Sequence, residues 1–343
     1  MKTAYAYKNV YLVPTMSIVD TRKICDTSVK LGKMVFSMPV YPSNMKSVVS
    51  LETCLFLAKN NYFYTMHRFG VKLKDILDFC KHNDIFSSIS VGINEDSYEE
   101  LNSILGKYTP DYITLDVANA WSEKSFKMIS YIQKNFPSSF LIIGNVATGS
   151  AVLSIAKVLD NDAAIKVGIA GGSVCITKNK TGFHIPMATC VQDCSSAIKK
   201  ELENCSYVAD FDEEFNLLVN KNYLNLSIPI IADGGIEEHG DIAKAISLGA
   251  HMVMAGSLFS GYTQSAGDIV NINNHLYKEY YGSASEHNKG EYKNVEGTKK
   301  LIEYKGDMSR LLVELKEDLQ SSISYAGGKD LSALKSCQKI LVT

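Results

Sequence analysis

Residues 165–177 read Ile165-Lys166-Val167-Gly168-Ile169-Ala170-Gly171-Gly172-Ser173-Val174-Cys175-Ile176-Thr177. An apolar run ends in small residues, and the next turn presents a cysteine with a threonine two places on. Ile165, Val167 and Ile169 read as a buried strand. The glycines lack Cβ and admit positive φ, so backbone there can approach a ligand closely. A thiol at the exit of a strand is placed to act as a nucleophile. A lone cysteine also packs as a small hydrophobe, so its surroundings decide between the two roles.

The same pattern recurs along the chain. Met34 to Val40 leads into Tyr41-Pro42-Ser43-Asn44-Met45, Tyr62 to Met66 into His67-Arg68, and Phe86 to Val91 into Gly92. Tyr112 to Val117 leads into Ala118-Asn119, and Phe140 to Ile143 into Gly144-Asn145. Pro229 to Ala232 leads into Asp233-Gly234-Gly235, and Met252 to Ala255 into Gly256-Ser257. With the cysteine segment, that makes eight candidate strands. Helical spacing fills the intervals: Leu51, Leu55, Phe56 and Ala58 share a face, as do Leu73, Ile76, Leu77 and Cys80, and Ile242, Ala245, Ile246 and Leu248. Alternating strand and helix implies a parallel sheet. Eight such units predict an α/β chain folded as a (β/α)8 TIM barrel, with the active site on the loops after the strands. An open doubly wound sheet is the alternative, weakened by the lack of a GxGxxG after the first strand.

The chain of 343 residues is 46% hydrophobic with net charge -2, enough for one large barrel or two modest domains. We expect a single barrel domain over residues 1–343. Near-neutral charge without a basic run argues against nucleic acid as a partner. No uncharged apolar stretch approaches the roughly 18 residues of a membrane helix, and the N-terminus lacks the apolar core of a signal peptide. The 8 cysteines include no CxxC pair and read as free thiols, so a cytoplasmic location is expected. Residues 261–305 are polar and aromatic without helical period and are predicted to form an active-site flap, partly β. Leu311 to Leu319 reads as an amphipathic helix. Residues 200–226 read as an insertion on the face opposite the active site.

Loops after the seventh and eighth strands of a barrel often bind phosphate through backbone N–H groups. Here they carry Asp233-Gly234-Gly235 and Gly256-Ser257, joined by Gly172-Ser173. Asp233 suits ribose hydroxyls. Together they point to a nucleoside monophosphate.

The motifs Gly168-x-x-Gly171-Gly172-Ser173-Val174-Cys175-x-Thr177, Lys180-Thr181-Gly182, Ile231-Ala232-Asp233-Gly234-Gly235-Ile236, Gly240-Asp241-Ile242-Ala243-Lys244-Ala245 and Gly249-Ala250 closely resemble the IMP dehydrogenase/GMP reductase family. The resemblance covers nearly the whole chain. Within the family the chain is most similar to the reductases of the shorter bacterial type. Met66-His67-Arg68-Phe69, Asp116-Val117-Ala118-Asn119, Gly144-Asn145-Val146, Tyr280-Tyr281-Gly282-Ser283-Ala284-Ser285-Glu286 and Asn294-Val295-Glu296-Gly297 all match that branch. Dehydrogenases usually carry a CBS pair after the second strand; here the second and third strands follow too closely to hold one. The dehydrogenase flap has an Arg-Tyr pair that activates water, whereas residues 282–296 contain no Arg. Glu296-Gly297 stands where dehydrogenases have Gln-Gly.

The resemblance implies NADPH-dependent reduction of GMP to IMP and ammonia through a covalent thioimidate, in a homotetramer. It implies catalytic roles for Cys175, Thr177 and Glu296. Ser173, Asp233, Gly234, Gly235, Gly256, Ser257, Gly282, Ser283 and Gly297 would bind the nucleotide. Thr21, Arg22, Arg68, Asp116, Val117, Ala118, Tyr292 and Lys293 match cofactor contacts, some acting across a subunit boundary. Carbonyls of Ala170 and Gly172 correspond to a site for a monovalent cation, K+; Ala170 replaces a glycine there, and an alanine offers its carbonyl only if φ stays negative. Two alternatives stay open: an IMP dehydrogenase lacking the CBS domain, and a nucleotide-binding barrel without catalysis.

Overall fold

The computed structural model describes residues 3–160, 162–206, 228–285 and 296–342. Three short strands come first: β1 (Val10–Leu12), β2 (Val29–Leu31) and β3 (Met34–Phe36). The barrel follows with β4 (Val40–Pro42), β5 (Ser88–Val91), β6 (Tyr112–Asp116), β7 (Phe140–Val146), β8 (Ala163–Val167), β9 (Ile230–Asp233) and β10 (Met252–Ala255). These seven form one parallel sheet in the order β4-β10-β9-β8-β7-β6-β5. Tyr62–Met66 fills the eighth position, between β4 and β5, without a regular ladder. Its Met66 N–H donates to the Ser88 carbonyl at 3.0 Å, and the Phe63 ring meets Tyr41 at 4.8 Å. The sheet thereby closes as a (β/α)8 barrel.

Register brings the strand ends to one rim. Asp233 pairs with Met254, Ala255 with Pro42, Val167 with Ala232, and Asp116 with Gly144. Each strand is buried on both faces, as parallel barrel strands must be; all of Ala163–Val167 is buried. Tyr41, Phe63, Tyr112, Phe140, Ile142, Ala164, Ile231, Met252 and Met254 fill the barrel interior together with Leu31 and Phe36. The last two belong to the β2–β3 hairpin, which plugs the N-terminal mouth. The Tyr112 hydroxyl at the start of β6 donates to the Leu31 carbonyl at 2.7 Å.

Helices α1 (Leu51–Lys59), α2 (Leu73–His82), α3 (Glu95–Ile104), α4 (Glu123–Asn135), α5 (Gly149–Ala156), α6 (Thr177–Thr181), α7 (Met187–Ser206), α8 (Gly240–Ser247), α9 (Met308–Tyr325) and α10 (Ser332–Ser336) complete the chain. Ser50, Ser122 and Thr148 cap α1, α4 and α5 through their hydroxyls, satisfying backbone N–H groups left open at a helix start. The apolar faces of α2 and α8 are those the spacing predicts. In α1 the buried residues are Thr53, Cys54 and Leu57, and Leu55 and Phe56 are only half-buried. The predicted run Met34–Val40 also divides: Met34–Phe36 joins the hairpin, and the barrel strand starts at Val40 after Pro39, which has no N–H to give a ladder.

After β10 the chain forms a three-stranded antiparallel sheet of β11 (Ile269–Ile272), β12 (His275–Tyr281) and β13 (Lys299–Glu303). This lies within the expected flap; residues 286–295, with Tyr292 and Lys293, are outside the described residues. The opening residues of the expected insertion continue α7 through Ser206, and 207–226 are likewise outside. Strand β14 (Lys339–Leu341) pairs with β1. No helix among the described residues is long and apolar enough to cross a membrane.

Candidate active site

The loop after β8 carries the cysteine, and the flap meets it. The Thr298 N–H donates to the Val174 carbonyl at 2.8 Å, and the Ile176 N–H to the Glu296 carbonyl at 2.9 Å. Cys175 and Gly297 form an antiparallel bridge, and Ser285 bridges Gly297 on the other side. An added Cβ at Gly297 would lie 2.9 Å from the Ser285 nitrogen, so this three-layer contact requires glycine. Residues distant in sequence thus share one short sheet at the rim.

That sheet brings three of the candidate side chains into line. The Cys175 Sγ lies 3.2 Å from Thr177 Oγ1, and Thr177 Oγ1 donates to Glu296 Oε2 at 2.6 Å. Sulfur, hydroxyl and carboxylate form a continuous path for a proton. Each of the three is partly exposed, as groups that must meet a ligand need to be.

The second part of the site is a buried ammonium. Lys166 is the one charged residue of β8 and is 2% exposed. Its Nζ donates to Asp233 Oδ2 and Asn145 Oδ1, each at 2.6 Å, and lies 3.5 Å from Asp116 Oδ1. Burial alone pushes its pKa down, but the Asp233 and Asp116 carboxylates outweigh burial and raise it. Asn145 closes the network by donating to Asp233 Oδ2 at 2.8 Å and to the Gly168 carbonyl at 2.6 Å. Asp116, Asn145, Lys166 and Asp233 end or nearly end four consecutive strands, so one ammonium ties neighbouring rim loops together. Sequence reasoning missed Lys166 and Asn145 as site residues. The available signal was a lysine inside an otherwise apolar strand.

The glycine loops pack backbone against backbone. An added Cβ at Gly168 would come 2.3 Å from the Asp233 carbonyl oxygen, and one at Gly234 would come 2.8 Å from the Gly171 carbonyl carbon. Gly256 faces the Tyr280 hydroxyl, which an added Cβ would approach to 2.3 Å. Tyr280 is buried, and burial pushes its phenol up to about 12, so it stays a neutral donor at working pH. Sequence reasoning quoted Tyr280 without giving it a role. Lys300 Nζ donates to the Ser173 carbonyl at 2.9 Å. Ser173, Gly234, Gly235, Gly256, Ser257, Gly282 and Ser283 therefore line the same end of the barrel as Cys175.

Asp116, Val117 and Ala118 follow β6 on that rim, with Ala118 exposed. Arg68 is exposed at the end of the Tyr62–Met66 segment, with its guanidinium 4.8 Å from the Phe69 ring. Thr21 and Arg22 lie elsewhere. Arg22 donates to Ser321 Oγ and the Tyr325 hydroxyl, each at 3.2 Å, and Gln320 anchors the Lys23 and Cys25 carbonyls. This end of α9 sits toward the plugged mouth, so one chain does not bring Arg22 to its own Cys175. Ala170 has φ +60°, not the negative φ that the cation reading attached to its carbonyl.

Residues 4–343 match the IMP dehydrogenase / GMP reductase domain. Over the full chain, covering 99% of the relative, the sequence is 53% identical to a GMP reductase of Chromobacterium violaceum. The chain belongs to the IMP dehydrogenase/GMP reductase family. Family relatives from Oceanobacillus iheyensis and Bacillus subtilis, both GMP reductases, are each 42% identical over all of this chain and 97% of their own length. This family member has no CBS region in its 343 residues.

Proposed function

We propose that the chain catalyses reductive deamination of GMP to IMP and ammonia with NADPH. The observation that carries this is the Cys175–Thr177–Glu296 relay at 3.2 and 2.6 Å, together with full-length identity of 42–53% to GMP reductases. Cys175 loses its proton, because only the thiolate is a strong nucleophile, and its sulfur bonds to C2 of the purine. Glu296 and Thr177 supply a proton to the amino nitrogen, the C2–N2 bond breaks, and ammonia leaves. A thioimidate remains between Cys175 and C2. NADPH supplies a hydride to C2 when bound. The C–S bond then breaks, and IMP and the thiol are released. Splitting the displacement around a covalent intermediate lowers each barrier.

The residues present fit such a cofactor. Lys166 ties Asp116, on the loop assigned to the nicotinamide, to Asp233, assigned to the GMP ribose. A donor and an acceptor of hydride need adjacent loops, and this ammonium holds them adjacent. Ser173, Gly234, Gly235, Gly256, Ser257, Gly282, Ser283 and Gly297 are assigned to the nucleotide. Arg68, Val117 and Ala118 are assigned to the cofactor, with Thr21 and Arg22 reaching a neighbouring subunit of a homotetramer. A cytoplasmic location accords with the seven described cysteines, all unpaired.

Loss of the NADPH absorbance band on adding GMP, with IMP as product, tests the reaction. Conversion of IMP to XMP with NAD in its place establishes a dehydrogenase, and GMP binding without turnover establishes a barrel that only binds. Repeating the assay with lithium in place of potassium tests the carbonyls of Ala170 and Gly172; an unchanged rate removes a cation from that loop.

A further inference from the structure

The barrel face opposite Cys175 carries a second, cationic pocket. It is a cavity of about 210 Å³ between α7, the segment following α8, and the C-terminal segment around α10 and β14. Lys199, Lys335 and Lys339 line it, with Ser195, Ser247 and Gly249. Gly249 closes the turn between α8 and β10, which places the pocket at the N-terminal ends of the strands. No carboxylate lines it among the described residues. None of its three lysines forms an ion pair there either. Three ammoniums so gathered repel one another unless an anion joins them.

A hydroxyl lies beside the lysines. Ser195 is 8% exposed, and its hydroxyl, with no hydrogen-bond partner among the described residues, opens into the pocket. Gly249 leaves room for it: at φ +109°, an added Cβ there would lie 2.0 Å from Ser195 Oγ. The plainer role for these lysines is to neutralise the carbonyl end of α8. They do not bond to it. The one hydrogen bond among them runs from Lys339 Nζ to the Cys337 carbonyl at 3.0 Å, which points that side chain without neutralising it. Burial also pushes the Lys339 ammonium down; Cys337 opposes this and the charge of Lys199 adds to it.

We propose that this pocket is an anion site that binds the phosphate chain of a di- or triphosphate, separate from the reaction centre. Its volume is several times the share of about 30 Å³ taken by one water in liquid. Three dispersed ammoniums match the charge of a phosphate chain better than that of a single phosphate, and a free hydroxyl adds one donor.

Calorimetric titration of the full chain with pyrophosphate, in saturating GMP, tests this. One binding event is expected, weakened roughly tenfold or more in the K335Q/K339Q double variant. GMP affinity should stay unchanged in that variant. Lys199→Gln, an exposed change on α7, should weaken pyrophosphate on its own, and it decides the matter if the double variant does not fold. ATP and pyrophosphate binding equally supports a site for the phosphate chain alone; tighter ATP binding supports a nucleotide occupant. Inorganic phosphate binding as tightly as pyrophosphate overturns the proposal. So does pyrophosphate binding equally to wild type and variants, or not binding at about 10 mM.

Discussion

Cys175, Thr177 and Glu296 are useful only as a set, and their spacing gives each a separable effect. Cys175→Ala removes the sulfur proposed to bond C2, so turnover should vanish while GMP binding, measured calorimetrically, persists. Glu296→Gln keeps the shape and the bond from Thr177 but cannot carry the proton. Single-turnover ammonia release should slow by about 10²-fold or more, with GMP affinity nearly intact. Equal losses in both would make Glu296 a binding group. Lys166 is different, because it is buried between carboxylates. Lys166→Met leaves Asp233 and Asp116 close together without their cation, and should cost about 3–5 kcal/mol of stability in urea unfolding. His67 adds a pH dependence. Burial, and then the charge of Lys46, push it down to about 4, and it accepts a bond from the Phe69 N–H at 3.2 Å. In the unfolded chain it titrates near 6.5. The unfolded state therefore binds more protons between these values, and stability should fall as pH drops from about 6.5 to 4. His67→Gln should flatten that part of the stability–pH curve.

At the scale of elements, the strands were legible because most of the apolar, β-prone runs end in glycine or polar residues. Tyr62–Met66 was legible as a run, but its irregular pairing was not, because backbone register is a property of neighbours. The α1 face was legible in part: Leu51, Phe56 and Ala58 pack against the core, but the fully buried residues are Thr53, Cys54 and Leu57, which the apolar spacing did not single out. Lys166 escaped notice because a charged side chain in a strand says nothing of its partners until Asn145 and Asp233 are brought alongside. Glu296 was legible only through family resemblance; nothing local joins it to a cysteine so far back in the chain. The loop after β8 shows the reverse case, a local departure with a local cost. Ala170 at φ +60° occupies a conformation that costs a non-glycine residue about 1–2 kcal/mol. Glycine there relieves that cost but adds about 0.5–1 kcal/mol of chain entropy. Ala170→Gly should therefore leave stability unchanged or raise it by up to about 1.5 kcal/mol, read from the shift in the denaturation midpoint. A clear loss would mean that the Ala170 methyl packs against something the loop needs.

At the scale of the whole molecule, the barrel separates its two ends. The open rim holds the cysteine, the flap and the Lys166 network. The other end is sealed by the β2–β3 hairpin and carries the turns of α9 that hold Arg22. Ser321 and Tyr325 keep the Arg22 guanidinium in a fixed place, yet on its own chain it has no route to Cys175. A positioned cation with no work to do in its own barrel fits a contact to a neighbour's cofactor, and this can be tested by mixing chains. Arg22→Ala alone should raise the KM for NADPH with little change in that for GMP, and Cys175→Ala alone should be inactive. Refolded together, mixed assemblies place an intact Arg22 from a Cys175→Ala chain beside an intact Cys175 from an Arg22→Ala chain. Activity at low NADPH should then exceed the sum of the two separate preparations. If it equals that sum, each barrel works with its own residues alone, and Arg22 serves only to pin the N-terminal segment to α9.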